Sequence, residues 1–207
     1  MIPADAEPAL NERVAALPTL AILQHGYAHQ NHAPATEKKQ ELGPHRPYPS
    51  VLGELATGQA RLARIFGPRF RPILVPPWNR IAPALVPMLP DIGYRGLSLY
   101  QPRARKEAAP GLIQANAHID IVDWTGGRGF VGESAALGMA IGHLAARRAG
   151  HADALVPTGL LTHHLVHDGE CRSFLDRFLA AVAGHPAAAW LEAEAVFAPA
   201  ASRAGAP

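Results

Sequence analysis

The chain has 207 residues, 48% of them hydrophobic and 17% charged, with a formal net charge of +2. That length suits one domain, the apolar share supplies a core, and the composition excludes extensive disorder in the middle of the chain. Lys and Arg are scattered without a basic stripe, so no nucleic-acid partner is expected. Cys171 is the single cysteine, which excludes an intrachain disulfide and a multi-thiolate zinc site; any metal is expected on His and carboxylates. No apolar run reaches membrane-spanning length. The start, "MIPADAEPALNERV", lacks the basic and apolar regions of a signal peptide, and the default expectation is a cytoplasmic location.

In chain order, Asp5 to Leu17 reads as a helix, with Leu10, Val14 and Leu17 at helical spacing and acids in its first turn. "TLAIL" (Thr19 to Leu23) is a short apolar run of the kind buried on both faces of a sheet. Tyr48 to Phe66 is helical, with a stripe of Leu52, Leu55, Leu62 and Phe66, and Gly67 closes it. "PILVPPW" (Pro72 to Trp78) gives a second strand, Ala82 to Leu89 a short helix despite Pro87, and "GLSLY" (Gly96 to Tyr100) a third strand. A fourth strand lies within Leu112 to Trp124, followed by the glycine-rich turn "TGGRG". Ser134 to Arg148 is the clearest helix, closed by Gly150. Ala154 to Leu165 holds a fifth strand, Cys171 to Ala183 a last amphipathic helix, and "AWLEAEAVF" a short terminal element. The expectation is one domain over 1–197 and a disordered tail over 198–207. Short apolar strands alternating with helices indicate an α/β fold with a mostly parallel sheet.

In such folds chemistry gathers beyond the C-terminal ends of strands, and four polar clusters lie there. "LQHGYAHQNHAP" places His25 and His29 four residues apart, within reach of one cation on a helical turn, with His32 beyond. A polar loop with hydrogen-bonded histidines is the plainer alternative. "VPPWNR" uses two prolines to fix Trp78 and Arg80 at a strand end. An aromatic face beside a cation suits sugar stacking or a packed lid. "DIVDW" holds Asp120, Asp123 and Trp124. On a strand the two acids face opposite ways, so a turn must intervene for both to serve one site; one of them can orient an Arg or a His, and a capping Asp before the glycine turn is the alternative. "LLTHHLVHD" ends an apolar strand in His163 and His164, one of which would enter the cleft as a general acid, with His167 and Asp168 beyond to orient it. A structural hydrogen-bonded pair is the alternative.

Taken in order, HxxxH, a proline-aromatic motif, DxxDW and LxH resemble the motifs of the polysaccharide deacetylase superfamily (carbohydrate esterase family 4, NodB-like) from Leu23 to Asp168. The resemblance implies a distorted (β/α) barrel and a divalent metal, zinc foremost. It implies His25 and His29 as metal ligands, Trp78 and Trp124 as substrate-binding walls, Asp123 as a supporting carboxylate and His163 as the acid. The implied activity is removal of N-acetyl or related acyl groups from a carbohydrate or other N-acylated small substrate.

Two departures stand out. Val75 occupies the place of an Arg that holds the family's base Asp, and Arg80 is the candidate substitute. The Asp-Asp pair of the first motif has no match here. Asp5 stands alone and reads as a helix cap. A missing first βα segment is therefore expected, with unpaired sheet edges. A non-catalytic metal- or carbohydrate-binding relative is the alternative reading, and a histidine-rich α/β scaffold without a site is a third.

Overall fold

The structure is a computed structural model that describes residues 1–199. The chain divides into two compact units. The first takes Met1–Leu99, Arg105–Ala115 and the segment from Glu192; the second takes Tyr100–Ala104 and Asn116–Leu191. Within the span read from sequence as one domain, the two units therefore interleave.

The first unit begins with α1 (Ala9–Ala15), shorter than the helix expected over Asp5 to Leu17. Pro8 occupies its N-cap and Asp5 lies exposed in the preceding turn, so Asp5 is not the cap. β1 (Ile22–Gln24) follows, then α2 (Tyr48–Phe66). In α2, Val51, Leu55, Leu62 and Phe66 recur at helical spacing and are buried. The helix stops at Gly67, whose φ of +51° and ψ of −128° only glycine adopts without strain.

β2 (Phe70–Leu74), β3 (Gly96–Leu97), β4 (Glu107–Ala109) and β5 (Leu112–Gln114) complete a five-stranded sheet in the order β1-β2-β3-β5-β4. Every neighbouring pair is parallel except β4 and β5. The expected helix over Ala82 to Leu89 is a 3-10 stretch, Pro83–Met88, containing Pro87, which cannot donate to an α-helical ladder. The main core of this unit gathers Leu42, Val51, Leu55, Leu74, Leu85, Leu89, Tyr94, Leu97 and Leu112.

The end of β1 is pinned from several sides. Gln24 is fully buried, and its Nε2 donates to Gly26 O at 3.0 Å and to Leu55 O in α2 at 3.1 Å. Val75 N–H donates to Gln24 O at 2.8 Å, continuing the parallel pairing past β2. On the other side Met1 donates to Leu23 O at 2.6 Å and accepts from His25 N–H at 2.8 Å, so that edge of β1 carries a partner.

The second unit contains β6 (Ile119–Asp120), α3 (Glu133–Arg148), β7 (Leu160–Leu161) and α4 (Gly169–Ala183). β6 and β7 are parallel, with Ile119 opposite Leu160 and Asp120 opposite Leu161. The segment expected to hold one strand, Leu112 to Trp124, is thus two strands, β5 in one unit and β6 in the other. Ile119, Ile121, Ala136, Ala140, Cys171 and Phe174 form the core here. Asp168 caps α4, accepting from Cys171 N–H at 2.7 Å, and it also accepts from Phe130 N–H at 2.9 Å. The chain then contributes α5 (Ala193–Val196) to the first unit.

The architecture is a mixed α/β fold with mostly parallel strands. Of the tail expected over 198–207, residues 200–207 lie outside the described residues. Among the described residues, no helix is long and apolar enough to cross a membrane.

Candidate functional site

In the first unit the chain leaves β1 directly into the histidine loop. His25 Nδ1 donates to the Val75 carbonyl at 2.8 Å, just past the end of β2. That bond places the ring proton on Nδ1 and the lone pair on Nε2, the tautomer a metal ligand needs. His29 brings its ring within 5.1 Å of the His25 ring, centroid to centroid. The four-residue spacing is realised in a loop and not on a helix: Gly26 has φ +62° and His29 φ +53°.

Trp78 closes against the same loop, its ring 4.3 Å from that of His29 and tilted by 53°. Pro76 and Pro77 deliver it, and both Trp78 (φ +55°) and Asn79 (φ +56°) stand in the left-handed region. Two successive L-residues there cost roughly 1–2 kcal/mol each. The surrounding packing must hold them.

Arg80 donates to the Lys39 carbonyl at 2.8 Å and, among the described residues, pairs with no carboxylate. The position sought for holding a base Asp is therefore used to pin a loop. His32 donates its N–H to Gln40 O at 3.0 Å. Desolvation, with the nearby Arg46 charge, holds its imidazole below the usual histidine range.

Glu41 was not legible from sequence. It is 1% exposed and accepts from the amides of Tyr27 and Ala28, in the middle of the histidine loop. Its only signal in the sequence is its place beside Leu42, at the end of a polar stretch.

Two imidazoles fit the donor chemistry of a divalent metal. Among the described residues, no group of three or more His, Cys, Asp or Glu gathers as a metal site. His25 and His29 are the histidines whose rings this loop brings together.

In the second unit, Asp120 at the end of β6 and His163 beyond β7 meet because the two strands run side by side. His163 Nε2 lies 3.3 Å from Asp120 Oδ2, and Trp124 Nε1 donates to the same oxygen at 2.9 Å. The Trp124 and His163 rings sit edge to face, 4.8 Å apart. Trp124 is 48% exposed, so part of its indole remains open to a ligand. Burial pushes the Asp120 carboxyl up. Hydrogen bonds from His163, Trp124 and the Val122 amide outweigh it and hold the group below the ordinary carboxylate range.

Asp123, the carboxylate expected to support the site, does something else. Its Oδ1 accepts from Thr125 N–H at 3.0 Å, the Thr125 hydroxyl at 2.9 Å and Gly126 N–H at 2.9 Å, shaping the glycine turn. The Gly126 amide, then the Thr125 hydroxyl and amide, lower its pKa. The carboxylate that meets His163 is that of Asp120. His163 donates its backbone N–H to His167 Nε2 at 2.8 Å, while His164 is exposed. Of the four clusters, the first two thus build a His25–His29–Trp78 group in one unit. The last two build an Asp120–Trp124–His163 group in the other.

No family model matches the sequence, and no curated protein matches it significantly. Among solved structures, the chain is similar to one described as a "putative polysaccharide deacetylase" from Mycobacterium smegmatis. The TM-score is 0.55 at 16% identity, over 86% of this chain and 62% of that one. The α/β fold of this chain is therefore similar to that of this protein, and the chain spans less than two thirds of its length.

Proposed function

We propose that the chain is a divergent polysaccharide deacetylase-type hydrolase. It would remove N-acetyl or related acyl groups from a carbohydrate, with a divalent metal, zinc foremost, on His25 and His29. The observation that carries this is the His25–His29 pair, with the His25 proton fixed on Nδ1 by the Val75 carbonyl, in a chain whose fold is similar to that described for a deacetylase. The closure of the strands into a distorted (β/α) barrel belongs to the same proposal.

When bound, the metal supplies Lewis acidity toward the acyl carbonyl and toward water. The residues of the chain supply the rest. Asp120 orients His163 through Nε2, as the carboxylate of a triad orients its histidine. Nδ1 of His163 is then the atom that carries the proton to the leaving amine. Trp78 and Trp124 are each, within their own unit, an aromatic face of the kind that stacks on a sugar. Asp123 contributes by fixing the turn after Trp124.

The experiment is acetate release from an N-acetylated chito-oligosaccharide with added zinc or cobalt. Release should depend on the metal, vanish with chelator, and fall by about 10²- to 10⁴-fold in His163→Ala. No release under any metal would reject the hydrolase and leave the non-catalytic metal- or carbohydrate-binding relative.

A further inference from the structure

We propose that Glu41 is the positioning residue of the histidine loop, its buried carboxylate setting the turn that brings the His25 and His29 rings together. The functional meaning of this rests on the metal-site reading above; the geometry does not. Glu41 Oε1 accepts from Ala28 N–H at 2.7 Å and from Tyr27 N–H at 3.2 Å, and Oε2 lies 3.3 Å from Tyr27 N. These two amides lie between the histidines, and successive N–H groups converging on one anion form a compact nest.

Gly26 completes the turn. Its φ is +62°, and a Cβ there would overlap Glu41 Oε2 and come within 2.6 Å of Pro77 Cγ. The carboxylate therefore lies directly against the backbone that links His25 to Tyr27, where glycine alone leaves room.

Glu41 is itself held firmly. Leu42 next to it is a buried core residue, bridged in parallel to Ile81, and its carbonyl accepts from Ala82 N–H at 2.7 Å. On the other side Gln40 accepts from His32 N–H at 3.0 Å and donates to Asn31 Oδ1 at 2.9 Å, which closes the base of the loop. The core thus fixes Leu42, Leu42 fixes Glu41, and Glu41 fixes the peptide between the two imidazoles. A carboxylate suits this task better than an amide. Both its oxygens accept, and its bonds to N–H donors are charge-assisted. A glutamine keeps one acceptor and turns an NH₂ toward a donor.

The test uses the full chain, first without metal. Amide hydrogen exchange at Tyr27 and Ala28 should quicken at least tenfold in Glu41→Ala, while the amides of Leu55 and Leu62 in α2 keep their wild-type rates. Cobalt titration followed by absorbance should then show at least tenfold weaker binding in Glu41→Ala, with the isosteric Glu41→Gln in between. If Glu41→Ala does not fold, Glu41→Gln decides: exchange at Tyr27 quickened at least threefold supports the proposal, and wild-type exchange overturns it. Wild-type exchange at both amides in Glu41→Ala, or wild-type cobalt affinity, also overturns it. A wild-type chain that takes up no cobalt rejects the metal-site reading instead, and the exchange rates still decide the role of Glu41.

Discussion

Asp120 and Asp123 are three residues apart and serve different ends. Alternation along a strand places two such acids on opposite faces, and the sequence alone does not say which one meets a partner. The structure divides them by their hydrogen bonds: Asp120 takes His163 and Trp124, while Asp123 takes the amides of the glycine turn. Asp120→Ala should therefore release the His163 ring, so that its ¹⁵N shifts move from the Nε2–H tautomer toward a mixture. The lost charge-assisted bonds should cost about 2 kcal/mol. Asp123→Ala should leave the His163 shifts where they are. Equal effects of the two substitutions would reverse the assignment. Glu41 was hidden for a related reason. A single acid at the edge of a polar loop has no periodicity, and only tertiary structure reveals that Leu42 carries it inward.

Among the elements, the bounds of α2 were readable because apolar positions at helical spacing end in a glycine that cannot be replaced at its backbone angles, although the buried stripe takes Val51 where Leu52, which is only partly buried, was expected. The strands were not, because most are two or three residues long and their length is set by pairing partners far along the chain. β4 was missed, since "EAA" shows no alternation and forms a strand only by pairing with β5.

A pair of histidines that no motif singled out lies between the segment before β6 and α3. His118 and His143 stack with ring centroids 3.5 Å apart, and they are 7% and 6% exposed. Gly159 N–H donates to His118 Nδ1 at 3.1 Å, and His143 Nδ1 pairs with the Thr158 hydroxyl at 2.9 Å. Desolvation, then His143, Arg147 and Arg103, push His118 down to about 4, and desolvation with Arg147 lowers His143 as well. His118 is thus neutral in the folded unit at pH 5, whereas an unfolded histidine titrates near 6.5. The unfolded chain then binds more protons between these values, so stability is full above about pH 6.5 and declines as pH falls toward 4. Urea midpoints should drop between pH 7 and pH 5, and His118→Gln should flatten that fall. An unchanged slope in the variant would show that the pair is not its source.

For the whole molecule, the parallel α/β class was legible from the alternation of short apolar runs and helices, and the likeness in fold agrees with it. The division into two interleaved units was not. It depends on where the chain crosses between cores at Leu99, Ala104, Ala115 and Leu191, and no glycine- or proline-rich linker separates the two cores. The order of the four motifs was legible, and each unit realises two of them as a compact group of side chains.

The central claim is that His25 and His29 hold the metal. It is tested most directly by the metal content of the 207-residue chain after equilibration with zinc and removal of the excess. One ion per chain is expected in the wild type and in His163→Ala, with binding weakened at least tenfold in His25→Ala and in His29→Ala at unchanged helical content. Zinc absent from the wild type, or retained equally by the His25 and His29 variants, would contradict the account.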